Sequence, residues 1–173
     1  VQLNEKQLDD VFEIGPNGPV IYRDFEEWRT HSRLFEGMVT YLNSSRNLQD
    51  VVDPEQVATV AAERGLFRLL GVPALAGRTF SEDDPLDVVV VSYEFWRRHF
   101  GGEWSAIGRR ITLDGRPFTL IGVMPVGFQF PYRSPSTELW VPWDAPADLR
   151  TRPNGRLDAV LARLKPGAAL EAA

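Results

Sequence analysis

Val88-Val-Val-Val-Ser-Tyr-Glu-Phe-Trp-Arg-Arg-His-Phe-Gly-Gly102, followed by Arg109-Arg-Ile-Thr-Leu-Asp-Gly-Arg-Pro-Phe-Thr-Leu-Ile-Gly-Val123, decides the fold. Four consecutive valines make a β-branched run of strand length, and Ser92 stands where it can cap a helix over Tyr93 to Phe100. The next signal is Asp114-Gly115, the dipeptide of a two-residue hairpin, whose turn needs positive φ at both positions. With that loop length Leu113 faces Arg116, Ile111 faces Phe118 and Arg109 faces Leu120. Ile111, Leu113, Phe118 and Leu120 then share one apolar side. Pro117 falls opposite Thr112 with its missing N–H turned away from the partner strand, making the outer edge there a poor template for another strand.

Working outward toward the N-terminus, Tyr22, Phe25 and Trp28 recur at helical spacing among charged residues, which predicts an amphipathic helix from Tyr22 to about His31 with its aromatic stripe in the core. Met38 to Leu42 reads as a strand, Asn43-Ser44-Ser45 as a turn and Arg46 to Val52 as a second, weaker strand. Val57 to Ala62 is an apolar strand of small side chains, and Arg64 to Leu70 a short helix stopped by Gly71. Val1 to Ile14 carries no firm assignment, and Gly15 to Pro19 is a turn or linker. Val72 to Asp87 is a loop rich in Pro and Gly.

Toward the C-terminus, Gly127-Phe-Gln-Phe-Pro-Tyr132 is an extended loop anchored by aromatic rings, and Leu139 to Trp143 a short strand ending in a turn. Asp144 to Pro153 reads as a linker, Leu157 to Leu164 as a strand, and Ala168 to Ala173 as the start of a helix cut short. The elements alternate without the long βαβ period of a doubly wound sheet, so the fold class is α+β.

Composition narrows the function. The chain has 173 residues, a formal net charge of −5 and no cysteine. The acidic balance argues against a nucleic-acid surface, and the missing thiols exclude disulfides, thiolate catalysis and cysteine-ligated zinc. No window is apolar enough to span a bilayer, and both ends read as cuts in a longer protein.

The search for chemistry returns little. His31 and His99 lie in no metal-ligand spacing; the first reads as a helix C-terminal cation and the second as a boundary residue. Ser92 lacks the Gly-x-Ser-x-Gly surround of a nucleophile, and the glycines lack the spacing of a phosphate loop. Ser81-Glu-Asp-Asp-Pro85 lacks the glycine-punctuated alternation of a calcium loop and reads as a capped turn or solvated acidic loop. No enzyme activity, cofactor or metal is expected. Phe128, Phe130, Tyr132, Trp140 and Trp143 are the one concentration of rings able to line an apolar groove for a partner or ligand, against the plainer reading that they anchor their loop.

These stretches in order, with Ile107-Gly-Arg-Arg-Ile-Thr-Leu-Asp-Gly-Arg-Pro-Phe-Thr-Leu-Ile-Gly-Val-Met-Pro125, Gly127-Phe-Gln-Phe-Pro131 and Leu139-Trp-Val-Pro142, resemble the extracytoplasmic (periplasmic) core domain of MacB-type ABC transporter permeases, most of all the large duplicated permeases of acidobacteria. Tyr22-Arg-Asp-Phe-Glu-Glu-Trp28, Asn47-Leu48, Glu55-Gln-Val57, Phe67 to Phe80 and Arg163-Leu-Lys-Pro-Gly167 extend the resemblance over the chain from about residue 20.

The resemblance implies a domain of a cytoplasmic-membrane protein, held outside the membrane between two transmembrane helices. A porter-like lobe is expected from residues 20–71 and 151–173, a strand-rich inserted lobe from residues 72–150, and a linker from residues 1–19. It further implies a non-catalytic role in transmitting ATP-driven movement during efflux, other export or lipoprotein release. The implied partners are a cytoplasmic ABC ATPase acting through the transmembrane helices, a second copy in the full-length protein, and a periplasmic protein or lipoprotein. The alternative is a freestanding extracytoplasmic binding module using the aromatic groove.

Overall fold

The computed structural model describes residues 10–14, 20–49, 54–132, 137–146, 155–157 and 159–167. In chain order its elements are β1 (Val11–Ile14), β2 (Val20–Ile21), α1 (Tyr22–His31), β3 (Phe35–Leu48), β4 (Glu55–Ala62), α2 (Leu66–Leu70) and β5 (Ala76–Gly77). There follow β6 (Val88–Val91), α3 (Tyr93–Phe100), a 3-10 turn at Trp104–Ala106, β7 (Arg110–Leu113), β8 (Arg116–Val123), β9 (Leu139–Pro142), β10 (Arg156–Leu157) and β11 (Ala159–Leu164). The fold is α+β, as expected.

The hairpin forms in the expected register: Ile111 pairs with Phe118, Thr112 with Pro117 and Leu113 with Arg116. Asp114 and Gly115 take positive φ (49° and 75°), and the four apolar side chains are buried. Ser92 Oγ accepts from Phe95 N–H at 3.0 Å, the capping bond that starts α3 after the valine strand. The outer edge of β8 is nonetheless used. β6 adds to it in parallel from Thr119 onward, just past Pro117, and the register skips Ile121 between Val89↔Leu120 and Val90↔Gly122.

The principal sheet runs β1-β11-β3-β4-β9-β6-β8-β5, with β7 joining β8 to β3. Strands β3, β4, β9, β6, β8 and β7 thereby close a ring. Its last seam is narrow: Leu48 pairs with Leu113, Asp114 N–H donates to Asn47 O at 3.0 Å, and Gln49 N–H to Thr112 O at 3.1 Å. Inside the ring lie Leu48, Val57, Val89, Val91, Ile111, Leu113, Phe118 and Leu120, with Phe95 and Trp96 of α3 in the same apolar cluster. A second cluster on the other face gathers α2 with Tyr41, Phe80, Phe128, Phe130 and Trp140. A third holds Tyr22 and Phe25 of α1 against Met38, Val160 and Ala162.

Asn43-Ser44-Ser45 is not a turn. β3 runs unbroken through it, pairing those residues with Val60, Thr59 and Ala58. The polar side chains stay exposed while their backbone is satisfied by the ladder, and Ser44 Oγ donates to Thr59 O at 3.1 Å. Turn propensity yields here because β4 supplies every bond a turn would have supplied. Trp28 departs from its stripe: Tyr22 and Phe25 are buried but Trp28 is 38% exposed, on the wall of an open groove with Phe12, Ile14, Phe35 and Met38. On α3 the buried face is Phe95 with Trp96, and Phe100 is half-buried. The expected linker at residues 15–19 and the expected C-terminal helix start lie outside the described residues.

Candidate functional site

The five rings singled out by the sequence part company in the fold. Trp140 lies on β9 facing the α2 side, its indole Nε1–H donating to Phe130 O at 3.2 Å. Phe128 meets it edge-on with centroids 5.2 Å apart, and Phe130 meets Tyr41 at 4.9 Å. Phe128, Phe130 and Trp140 are no more than 4% exposed. Alternation along β9 turns Trp143 elsewhere, half-buried between the ring interior and the α1 cluster. Tyr132 stays at the surface, 47% exposed, edge-on to Phe130. Desolvation raises its phenol to about 12, although the nearby Arg163 guanidinium pulls the other way.

Among the described residues, three grooves lie elsewhere whose linings include none of these five. The first, about 360 Å³, runs between the end of α1, the start of β3 and α2. Its arginines are neutralised in place: Arg29 pairs with Glu26 and Glu63, Arg64 with Asp144, and Arg68 with Glu82. Glu63 accepts from Thr40 N–H at 3.0 Å. Burial nevertheless holds its carboxyl above the ordinary glutamate value, outweighing the Thr40 and Arg29 bonds. A second groove of about 300 Å³ lies across Arg68 from the first, walled by Phe67, Val72 and Phe80.

The third groove, about 410 Å³, is lined by Phe12, Ile14, Trp28, Ser32, Leu34, Phe35 and Met38. Sequence reasoning misses it because Val1 to Ile14 carries no firm assignment and the helical spacing places Trp28 in the core. The available signal was that Leu34 and Phe35 continue the apolar face beyond the polar end of α1.

Among the described residues the titratable groups are engaged in separate structural contacts. His31 Nδ1 lies 3.1 Å from Glu27 O, tying the ring to its own helix end. His99 Nε2 lies 2.7 Å from Glu55, which also takes Arg98, and Arg98 reaches Glu138. This network fastens α3 to the starts of β4 and β9. Asp84, in the acidic loop, accepts both guanidinium nitrogens of Arg78 at 2.6 Å together with Ser81 N–H and Oγ. It is the capped turn the sequence implied. Among the described residues no group of three or more His, Cys, Asp or Glu side chains is placed to hold a metal ion, and no helix is long and apolar enough to cross a membrane.

The model of the family described as "MacB-like periplasmic core domain" matches residues 1–173. A Pseudomonas fluorescens protein named as a probable export ATP-binding/permease protein is 31% identical over 104 residues, covering 58% of this chain and 16% of that protein. The chain thus spans under a fifth of the length of the curated relatives it matches. Among solved structures, the periplasmic region of MacB from Actinobacillus actinomycetemcomitans superposes with a TM-score of 0.73 at 17% identity, covering 98% of this chain and 81% of that one. The extracellular domain of the noncanonic ABC-type transporter YknZ from Gram-positive bacteria gives 0.66 at 15% identity, covering 94% and 86%. At these identities the likeness is one of fold.

Proposed function

The chain belongs to the family of MacB-like periplasmic core domains, and from that membership we propose that it is the non-catalytic, extracytoplasmic part of an ABC transporter permease that passes ATP-driven movement to an exported substrate or partner protein. The observation that carries this reading is the family match over the whole chain. The absence of convergent catalytic side chains among the described residues agrees with it. Strands closed into a ring around an apolar interior make a body suited to moving as one piece, the property a coupling domain needs.

Within this reading, a cytoplasmic ATPase acts through flanking transmembrane helices, and a second copy of the permease completes the transporter. Efflux and lipoprotein release are the transport classes proposed, with the duplicated acidobacterial permeases as the proposed nearest kin. The lobes proposed are a porter-like one from residues 20–71 with 151–173 and an inserted one from residues 72–150, joined in one sheet where β4 pairs with β9 and β3 with β7. Of the five aromatic residues, Tyr132 has the exposed ring available to a periplasmic partner, and Trp143 the half-buried one; Phe128, Phe130 and Trp140 hold the loop beneath them.

Topology mapping of the full-length protein tests this, with reporters before Val1, within the domain and after Ala173. The expected result is an extracytoplasmic domain with membrane spans on both flanks. A domain that is free in solution, or one on the cytoplasmic side, overturns it; the free domain returns the alternative of a freestanding binding module.

A further inference from the structure

The last turn of α1 stands as a wall between two of the grooves. Trp28 lines the apolar one and Arg29 the polar one, while Ser32, Phe35 and Met38 line both. A carboxylate ties this turn across the polar groove. After Tyr41↔Ala62 the chain leaves the β3–β4 ladder, and Glu63 prolongs the ladder by one step. Its N–H donates to Thr40 O at 3.0 Å, and its carboxylate accepts Thr40 N–H at 3.0 Å where a strand carbonyl would have stood. The other carboxylate oxygen accepts Arg29 Nη1 at 3.1 Å. Thr40 is fully buried and the Glu63 side chain 18% exposed, so the bridge is sheltered at its sheet end and open to the groove at its helix end.

We propose that Glu63 is a proton-operated latch: as a carboxylate it holds the last turn of α1 to the β3–β4 corner through Arg29, and as a carboxylic acid it lets that turn swing out, joining the polar and apolar grooves. Its two bonds respond differently to a proton. A neutral carboxyl keeps a carbonyl oxygen for Thr40 N–H but loses the charge that attracts Arg29, which retains Glu26 on its own helix. The sheet side stays closed while the helix side lets go. Of the charges on α1, Arg29 opposes protonation and Glu26 favours it. The other cations lining the groove are held elsewhere, Arg64 by Asp144 and the Asp84 carbonyl, Arg68 by Glu82, and Glu36 of β3 is exposed. Burial outweighs the Thr40 and Arg29 bonds. The latch therefore opens at a higher pH than that at which an ordinary glutamate takes up its proton. This device does not depend on the transport reading.

The chain has no cysteine, so Glu27→Cys on α1 and Glu94→Cys on α3, both at exposed positions, take a pair of nitroxide spin labels. The distance between them is measured by pulsed electron paramagnetic resonance from pH 7 downward. Over the same range the amide proton shift of Thr40 reports Glu63 directly, because that N–H lies on the carboxylate. The expected result is a longer-distance population that grows in step with the Thr40 titration, with a midpoint above the ordinary glutamate value of 4.5. Adding Glu63→Gln, which keeps an oxygen for Thr40 and no charge for Arg29, is expected to raise the ratio of long to short distances at pH 7 about fivefold and to remove its pH dependence. Arg29→Gln leaves the end of the ladder untouched, so it carries the test even if the first variant fails to fold by circular dichroism. It is expected to open the turn to the same extent at pH 7 and to move the Thr40 midpoint to higher pH. A Thr40 midpoint at or below 4.5, a label distance that does not follow it, or a pH response that survives either variant overturns the proposal.

Discussion

Asp84 shows how much a single side chain holds. The Arg78 guanidinium, with help from Ser81 and against the cost of burial, lowers its carboxyl from 3.8 to about 2. The folded state therefore favours the charged form, and the stabilisation is complete above about pH 4 and lost as pH falls through about 2. With Arg78 largely exposed and the pair partly screened, Asp84→Asn is expected to cost about 1–2 kcal/mol at pH 7 and to flatten the acid dependence between pH 4 and 2. Urea titrations across that range measure both effects. Gly122 makes a sterically sharper case: a Cβ there would lie 2.0 Å from Arg78 O. Gly122→Ala must displace β5 from β8 and is expected to destabilise by about 3 kcal/mol or more, read from the same titrations. The Ser92 cap was legible because it is a local device, three residues from its donor. The Asp84 turn was legible only as a turn, since its partner Arg78 is assigned by the folded loop and not by periodicity. Trp28 was misread because spacing reports which residues share a helix face, and says nothing of where the facing surface ends.

At the scale of elements, α3 packs through Phe95 and Trp96. Phe95→Ala is expected to cost about 3–5 kcal/mol, and Phe100→Ala, on a half-buried ring, about 1–2. Equal losses in thermal or urea melts would place the helix on a different face. The hairpin tip is held by polar contacts: Asp114 Oδ1 accepts from Asn47 N–H at 2.9 Å and Asn47 Nδ2 at 3.1 Å, while Gly115 N–H donates to Gln49 Oε1 at 2.8 Å. Asp114→Ala is expected to loosen this seam, raising amide hydrogen exchange in β7 while leaving β11 protected. The hairpin, down to its register, was readable because Asp-Gly and alternation both act within a dozen residues. The continuity of β3 was not, because the ladder that overrides Asn43-Ser44-Ser45 comes from β4, whose register with β3 no local pattern specifies.

For the whole molecule, α+β class followed from element order, and family resemblance from the sequence of motifs, each weak alone and specific in succession. The ring of strands escaped prediction: its closure joins β3 to β7, segments more than sixty residues apart, through one backbone pair and the Asp114 contacts. The grooves escaped too, being spaces between elements that sequence patterns treat separately. A further expectation concerns cooperativity. Since the apolar cluster inside the ring draws on both proposed lobes, Leu48 and Val57 from one with Leu113 and Phe118 from the other, calorimetric unfolding should be a single two-state transition. Two separated transitions would show that the lobes melt independently. The unbroken β3 carries a mechanical consequence. Its fourteen residues make a strut about 45 Å long, with its foot beside the groove and its head clasped by the hairpin. Above the register shift that skips Glu36 at its foot, the continuous strand turns rotation into travel at the head, so a tilt of about 5° moves the hairpin by about 3–4 Å. The lever is built into one strand.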